Sequence, residues 1–139
     1  MTATIRGMLP GDYDEVVALW QATEGVGLGD ADSRENVEAY LAQNEGMSFV
    51  GVEGDRIVAA ALCGADGRRG YLHHLAVAPA CRGQGLGRDL AEQCLAALAD
   101  QGIGRCHIHV FARNIEARNF WLATGWRHRE ELVVLSKDL

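Results

Sequence analysis

The chain has 139 residues, enough for one compact domain with one sizeable core. Its 48% hydrophobic and 23% charged residues are an ordinary globular balance and exclude general disorder. The formal net charge of −6 argues against a wide electropositive surface for nucleic acid.

No run approaches the ~20 consecutive apolar residues of a membrane span. Residues 1–10 show no basic start leading into an apolar run, so no secretory leader is expected. A cytoplasmic protein that binds neither nucleic acid nor membrane is the expectation.

In chain order, residues 4–8 form a short first strand, and Pro10-Gly11 turns the chain. Asp12 with Glu15 reads as an aspartate version of the capping box, opening a helix with Val16, Leu19 and Trp20 on its apolar stripe. The glycine-rich, acidic stretch 24–32 reads as a loop. Ser33 caps a second helix that buries Val37, Tyr40 and Leu41. Strands follow at 47–52, 56–63 and 71–77, separated by the turns at Gly54 and at 65–70.

A helix over about 85–101 repeats Leu86, Leu90, Cys94 and Leu98 on one face and stops at Gly102 and Gly104. A strand at 105–111 comes next. Asn114 then opens a short helix with Ala117, Phe120 and Trp121 inside, and a final strand runs over 131–136. The order β-α-α-β-β-β-α-β-α-β, with no repeat and no linker, predicts a single α/β domain with helices on both faces of a mixed sheet.

Cys63, Cys81, Cys94 and Cys106 show no C-x-x-C pair and no zinc spacing. Cys94 and Cys106 read as small core residues, while Cys81 lies in a loop that could make it reactive.

Seventeen glycines stand against two prolines, and three of them alternate at Gly83, Gly85 and Gly87 between Arg82 and Arg88. A strand ends there and a helix begins. Backbone N–H groups freed by glycine, together with the unpaired N–H groups of a helix N-terminus, make a cradle for a phosphate or pyrophosphate. The two arginines can add charge-assisted hydrogen bonds.

The nucleotide-binding G-x-x-x-x-G-K-[ST] loop is absent, because the only lysine is Lys137. The dinucleotide fingerprint fails by one residue, and its expected βαβ order fails as well. A tight strand-to-helix turn is the structural alternative.

Arg82-x-x-Gly85-x-Gly87 matches the Q/R-x-x-G-x-G/A signature of the GNAT superfamily of N-acetyltransferases. Leu75-Ala76-Val77-x-Pro79 resembles the strand that enters that signature. Asn114, Ala117, Phe120, Gly125 and Trp126 resemble the family's N-x-x-A-x-x-F-Y-x-x-x-G-F segment. The resemblance covers nearly the whole chain in the expected order.

It implies a GNAT-like fold with a mixed, largely antiparallel sheet, flanked by helices and splayed at an acyl-CoA site. It further implies acetyl transfer from acetyl-CoA to a primary amine of a small molecule or peptide, by direct attack in a ternary complex and with no metal. By the same resemblance Arg82, Gly83, Gln84, Gly85, Leu86, Gly87 and Arg88 form the pyrophosphate cradle. Leu75, Ala76 and Val77 offer backbone to the pantetheine arm, with the Val77 amide as an oxyanion donor. Asn114, Phe120 and Trp121 approach the cofactor from the other side.

Aminolysis of a thioester needs a base to free the amine from its proton. His73, four residues before Val77, is the candidate, since an unperturbed histidine titrates near ~6.5. The alternative is a strand histidine with a satisfied hydrogen bond. Strand alternation sends His74 to the opposite face.

Trp121 stands where the family often has a tyrosine that protonates the thiolate, so the usual general acid is missing. Water or Tyr71 could take that part. His107 and His109 share one strand face as a conceivable metal pair, but no third ligand is evident.

Acidic residues at Glu24, Asp30, Asp32 and Glu35 either attract a cationic amine or simply solvate a loop. An apolar C-terminal strand suggests a homodimer. Two other functions stay open: a non-catalytic acyl-CoA-binding sensor, suggested by Trp121, and a nucleotide-binding protein of another type.

Overall fold

The computed structural model of the chain describes residues 2–139. They fall into two compact units, Met1–His109 and Val110–Leu139. The first holds an open five-stranded sheet in the order β1-β2-β3-β4-β5.

Strand β1 is Thr4–Gly7, β2 is Phe49–Glu53, β3 is Arg56–Ala65, β4 is Gly70–Val77 and β5 is Cys106–Ile108. The first four pair antiparallel as neighbours, and β5 joins β4 in parallel. Helices α1 (Tyr13–Gln21) and α2 (Arg34–Gln43) lie between β1 and β2, and α3 (Leu86–Asp100) between β4 and β5.

Alternation along the strands assigns the two faces. Val16 and Trp20 of α1 and Val37 and Leu41 of α2 bury against Val50, Ala60, Leu62 and Ala76. On the other face, Gly51 lets Leu86 of α3 approach: a Cβ there would lie 3.3 Å from Leu86 Cδ1. Gly70 does the same for Leu98, since its Cβ would sit 2.5 Å from Leu98 Cδ1. Helices therefore cover both faces of a mixed sheet, as the element order predicts.

Two buried polar residues tie the connection between α2 and β2 to β3. The Asn44 side-chain oxygen accepts from Ala65 N–H at 2.9 Å, and Ser48 Oγ accepts from Cys63 N–H at 2.8 Å. Ser33 caps α2 as expected, accepting from Asn36 N–H at 3.2 Å.

The expected capping box at Asp12 does not form. The Asp12 carboxylate instead takes Leu9 N–H at 2.8 Å and both terminal nitrogens of Arg6, while Glu15 reaches Ile57 N–H at 3.1 Å. Donors that precede Asp12 in the chain, and for Glu15 a donor on β3, take the carboxylates in place of the cap.

The cysteines of this unit are all reduced. Cys63, Cys81 and Cys94 are buried; against the lowering influence of Cys106, the Cys94 thiol and burial push the Cys63 thiol up to about 12. Cys81 Sγ faces Glu53 Oε2 at 3.9 Å.

In the second unit, α4 spans Ile115–Ala123. The Asn114 side chain caps it by accepting from Ala117 N–H at 3.1 Å. The buried Trp121 ring lies between Phe120, centroids 4.9 Å apart, and Trp126 at 5.0 Å, both edge-on.

Two strand expectations need correction. The strand read over 105–111 shortens to Cys106–Ile108, and the strand read over 131–136 does not form. Val133 and Leu135 are 83% and 89% exposed. An apolar alternating segment becomes a strand only when a neighbour takes its backbone hydrogen bonds, and none of the described strands pairs with it.

Candidate active site

The site grows from an irregularity in β4. Across β3, Ala60 pairs with Ala76 but Leu62 pairs with His73. Two steps on β3 thus face three on β4, which is a bulge with one extra residue on β4. His74 carries it, with φ +53, the one positive φ among the described non-glycine residues.

The extra residue reverses which backbone groups face outward. Before the bulge, Gly70 N–H points toward β5, donating to Arg105 O at 2.9 Å. After it, Ala78 N–H points toward β3, donating to Val58 O at 2.7 Å. By alternation the polar groups of Leu75 and Val77 then face away from β3. The parallel pairing with β5 ends at Leu72–Ile108. From His73 onward, the Leu75 and Val77 amides lie along a strand edge that β5 has left. Ala76 is buried against the α1 face. The splayed sheet implied by the resemblance is present, and the bend that bulges impose accounts for the early end of β5.

The glycine loop follows. Pro79–Cys81 makes one tight turn. Gly83 and Gly85 take φ +79 and +81, conformations that favour glycine. Helix α3 starts at Leu86, and Asp89 N–H to Gly85 O at 3.0 Å is its first rung. The Leu86, Gly87 and Arg88 amides of that first turn have no intrahelical acceptor. A Cβ at Gly83 or Gly85 would meet nothing within 4 Å, so open space lies beside both.

The loop side chains behave differently from one another. Leu86 is buried toward Gly51, so it offers only its backbone. Arg82 Nε donates to Val77 O at 3.0 Å and braces the strand end. Arg88 Nε lies 3.3 Å from Glu92 Oε1 with both side chains largely exposed. Gln84 is exposed.

The histidines gather on the α1–α2 face. The His73 ring stacks parallel to Tyr71, centroids 6.5 Å apart, and meets Tyr40 of α2 edge-on at 6.2 Å. It is half-buried and, among the described residues, has no hydrogen-bond partner. Burial pushes the His73 imidazole below its ordinary value, the His74 and His109 imidazoles push the same way, and Asp32 opposes them. The neutral form is favoured, and a neutral imidazole can accept a proton.

His74 does not take the opposite face. The bulge turns it onto the same side as His73, centroids 6.1 Å apart. Its ring packs 5.0 Å from Trp20, and Nε2 sits 2.8 Å from Asp32 Oδ1. His107 lies beside Tyr71 at 5.7 Å. Among the described residues, no group of three His, Cys, Asp or Glu side chains could hold a metal ion.

Sequence reasoning misses the Asp32–His74 contact. The double histidine is visible, but nothing in the residue order marks a bulge at a non-glycine position. Asn114, Phe120 and Trp121 belong to the second unit, where Asn114 Oδ1 is already engaged as a helix cap.

An exposed strand edge leading into a helix N-terminus flanked by open space is a site for an elongated ligand with an anionic group. Acyl-coenzyme A has that chemistry: a chain of amides ending in a pyrophosphate. The residues present fit it, with Leu75 and Val77 for the arm and Gly83 to Arg88 for the phosphates.

The fold and this site define an α/β acyltransferase class. The chain belongs to the acetyltransferase (GNAT) family, whose model matches residues 13–126. Among curated proteins, none matches it in sequence.

Solved structures share the fold at low identity. A predicted acetyltransferase with acetyl-CoA from Clostridium acetobutylicum has a TM-score of 0.79 at 18% identity, covering 96% of each chain. The PaiA N-acetyltransferase from Thermoplasma acidophilum, in complex with coenzyme A, has a TM-score of 0.80 at 14% identity, covering 94% of this chain and 92% of that one. An aminoglycoside acetyltransferase from an uncultured soil metagenomic sample, in complex with sisomicin, has a TM-score of 0.78 at 19% identity, covering 99% and 97%.

Proposed function

We propose that the chain transfers the acetyl group of acetyl-CoA to a primary amine of a small molecule or peptide, by direct attack in a ternary complex. The observation that carries this reading is the placement of His73. A half-buried imidazole biased toward neutrality lies on β4 just before the edge that Leu75 and Val77 present.

Acetyl-CoA, when bound, supplies an activated acyl group. The chain's own residues do the rest. The first-turn amides of α3 and the open space at Gly83 and Gly85 receive the phosphates. The Leu75 and Val77 edge orients the arm as a neighbouring strand would be oriented. The Val77 N–H, pointing along the free edge, is the donor for charge developing on the carbonyl oxygen. An amine reaches the site as ammonium and must lose a proton before it can attack, and a ring nitrogen of His73 accepts that proton. Trp121 offers no acidic proton, so solvent water returns a proton to the departing thiolate.

Two features support acceptors of small size and positive charge. The acidic residues Asp30 and Glu35 are exposed on the α1–α2 side. One structural neighbour is an aminoglycoside acetyltransferase in complex with sisomicin. A homodimer through the exposed 132–135 segment and a cytoplasmic location complete the proposal; light scattering and fractionation test them.

The test is thiol release from acetyl-CoA over a panel of amines, beside a thermal-shift screen with acetyl-CoA, coenzyme A and dinucleotides. Turnover with at least one amine is expected. Binding of acetyl-CoA without turnover on any amine supports the second reading, a non-catalytic acyl-CoA sensor, which Trp121 favours. Stabilisation by a dinucleotide and not by coenzyme A refutes both.

A further inference from the structure

We propose that Asp32 is a positioning residue for acetyl transfer: through His74 it clasps the α1–α2 loop onto the β4 bulge and so holds that loop beside His73, where an amine would lose its proton. This inference rests on the acetyltransferase reading above and goes beyond it, because it assigns a role to two residues that touch neither the acyl arm nor the phosphates.

The first observation is conformational. The position at His74 needs φ +53, and a glycine would take it without strain. Histidine there is strained, yet its ring reaches across the sheet face to a residue 42 positions earlier. Strain at a site that makes so specific a contact is characteristic of functional positions.

The second observation is the state of Asp32. It ends the short turn Asp30–Asp32 that precedes α2. Oδ1 meets His74 Nε2 at 2.8 Å, Oδ2 accepts from Gly29 N–H at 3.1 Å, and its backbone oxygen accepts from Tyr13 Oη at 2.7 Å. Its side chain is 10% exposed, and that of His74 is 18% exposed. Both carboxylate oxygens are occupied inside the protein, so Asp32 is not a carboxylate waiting for a cationic amine. Of the acidic residues in that loop, it is the one turned inward.

The third observation is what surrounds the pair. Trp20 of α1 backs the His74 ring at 5.0 Å, and His73 lies on its other flank at 6.1 Å. His73 in turn faces Tyr40 from α2, Tyr71 on its own strand, His109 beyond β5, and the Asp32 carboxylate. Elements from three parts of the chain therefore converge on the bulge, and the Asp32–His74 contact is the polar link between the loop and the strand. If it is lost, the loop is free to move while the α3 cradle, on the opposite face, is untouched.

The test uses the full chain with Asp32→Ala, Asp32→Asn, His74→Gly and the double variant Asp32→Ala/His74→Gly. Amide exchange is measured without any substrate, and KM is measured separately for the amine and for acetyl-CoA. Asp32→Ala is expected to speed exchange around residues 29–33 and 73–75 and to raise the amine KM about tenfold. The thermal shift given by acetyl-CoA should not change. Asp32→Asn, whose amide oxygen can still accept from a His74 ring N–H, should restore most of the amine KM.

His74→Gly should reproduce Asp32→Ala, and the double variant should be no worse than either. Faster exchange with an unchanged amine KM makes the clasp purely structural and overturns the proposal, as do effects that simply add in the double variant. No turnover by the unaltered protein on any amine refutes the acetyltransferase reading itself, and this role falls with it.

Discussion

Gly85→Ala separates the conformational part of the loop from its chemical part. Gly85 sits at φ +81, and a methyl group on its Cα would meet nothing within 4 Å. An alanine there is strained by its own backbone alone, at about 1–2 kcal/mol. With an unfolding entropy of about 2.1 cal/mol/K per residue, 139 residues give about 0.3 kcal/mol per kelvin, so Tm should fall by about 3–7 °C.

Gly67→Ala is the control, because Gly67 has φ +91, equally open surroundings and a place in the turn between β3 and β4. Acetyl-CoA at about 100 times its Kd stabilises the unaltered protein by about 2.7 kcal/mol, or about 9 °C on the same scale. Thermal unfolding with and without acetyl-CoA reads both effects. Both variants should lose similar Tm; Gly67→Ala should keep the ligand shift and Gly85→Ala should lose most of it. A full ligand shift in Gly85→Ala refutes the cradle at the N-terminus of α3. An unchanged Tm in the absence of ligand refutes the backbone argument.

Four further outcomes follow from the structure. Since His73 must be neutral to accept a proton and its folded value is pushed below 6.5, kcat/KM should be level above pH 6.5 and fall as pH drops through that lower value; His73→Gln should remove most activity while acetyl-CoA still binds, and an acid limb centred above 6.5 contradicts the assignment. The same depression makes protonation oppose folding, so this contribution to stability is complete above pH 6.5 and lost as pH falls through the folded value, which urea titrations across pH 4–8 would detect. Gly70→Ala would push a methyl group to 2.5 Å from the buried Leu98 Cδ1, and overpacking of about 1–3 kcal/mol should appear in urea unfolding. Ending the chain after Glu131 removes the exposed 132–139 segment; the monomer's Tm should move by only about 1–2 °C, within the range of ordinary surface changes, and any dimer should be lost.

Much of this architecture is legible in the residue order because local chemistry decides it. Ser33 and Asn114 cap helices through side chains that bond three residues ahead, and the Gly83–Gly87 alternation marks the junction where the loop passes into α3. Other features depend on partners distant in sequence. Glu15 looks like half of a capping box until Ile57, 42 residues on, claims its carboxylate. Residues 131–136 alternate like a strand, but no neighbour takes their hydrogen bonds. The two adjacent histidines read as facing opposite ways because period-two alternation carries no warning of an extra residue, and the bulge that brings them together becomes visible only once β3 fixes the register. The splayed edge follows from the family resemblance, whereas its cause, the bulge, does not.

The short β4–β5 ladder has a consequence for how the molecule opens. Three residue pairs hold β5, from Gly70–Cys106 to Leu72–Ile108, while β1 to β4 form a run of neighbouring antiparallel strands. Fluctuations that detach β5 need break few bonds, so this margin belongs to the low-stability end of the molecule, where functional segments concentrate. A ligand laid along Leu75 and Val77 would supply hydrogen bonds of the kind β5 makes further back. In energetic terms it would act as a temporary strand, and the protein would be most nearly a complete sheet while its substrate is bound.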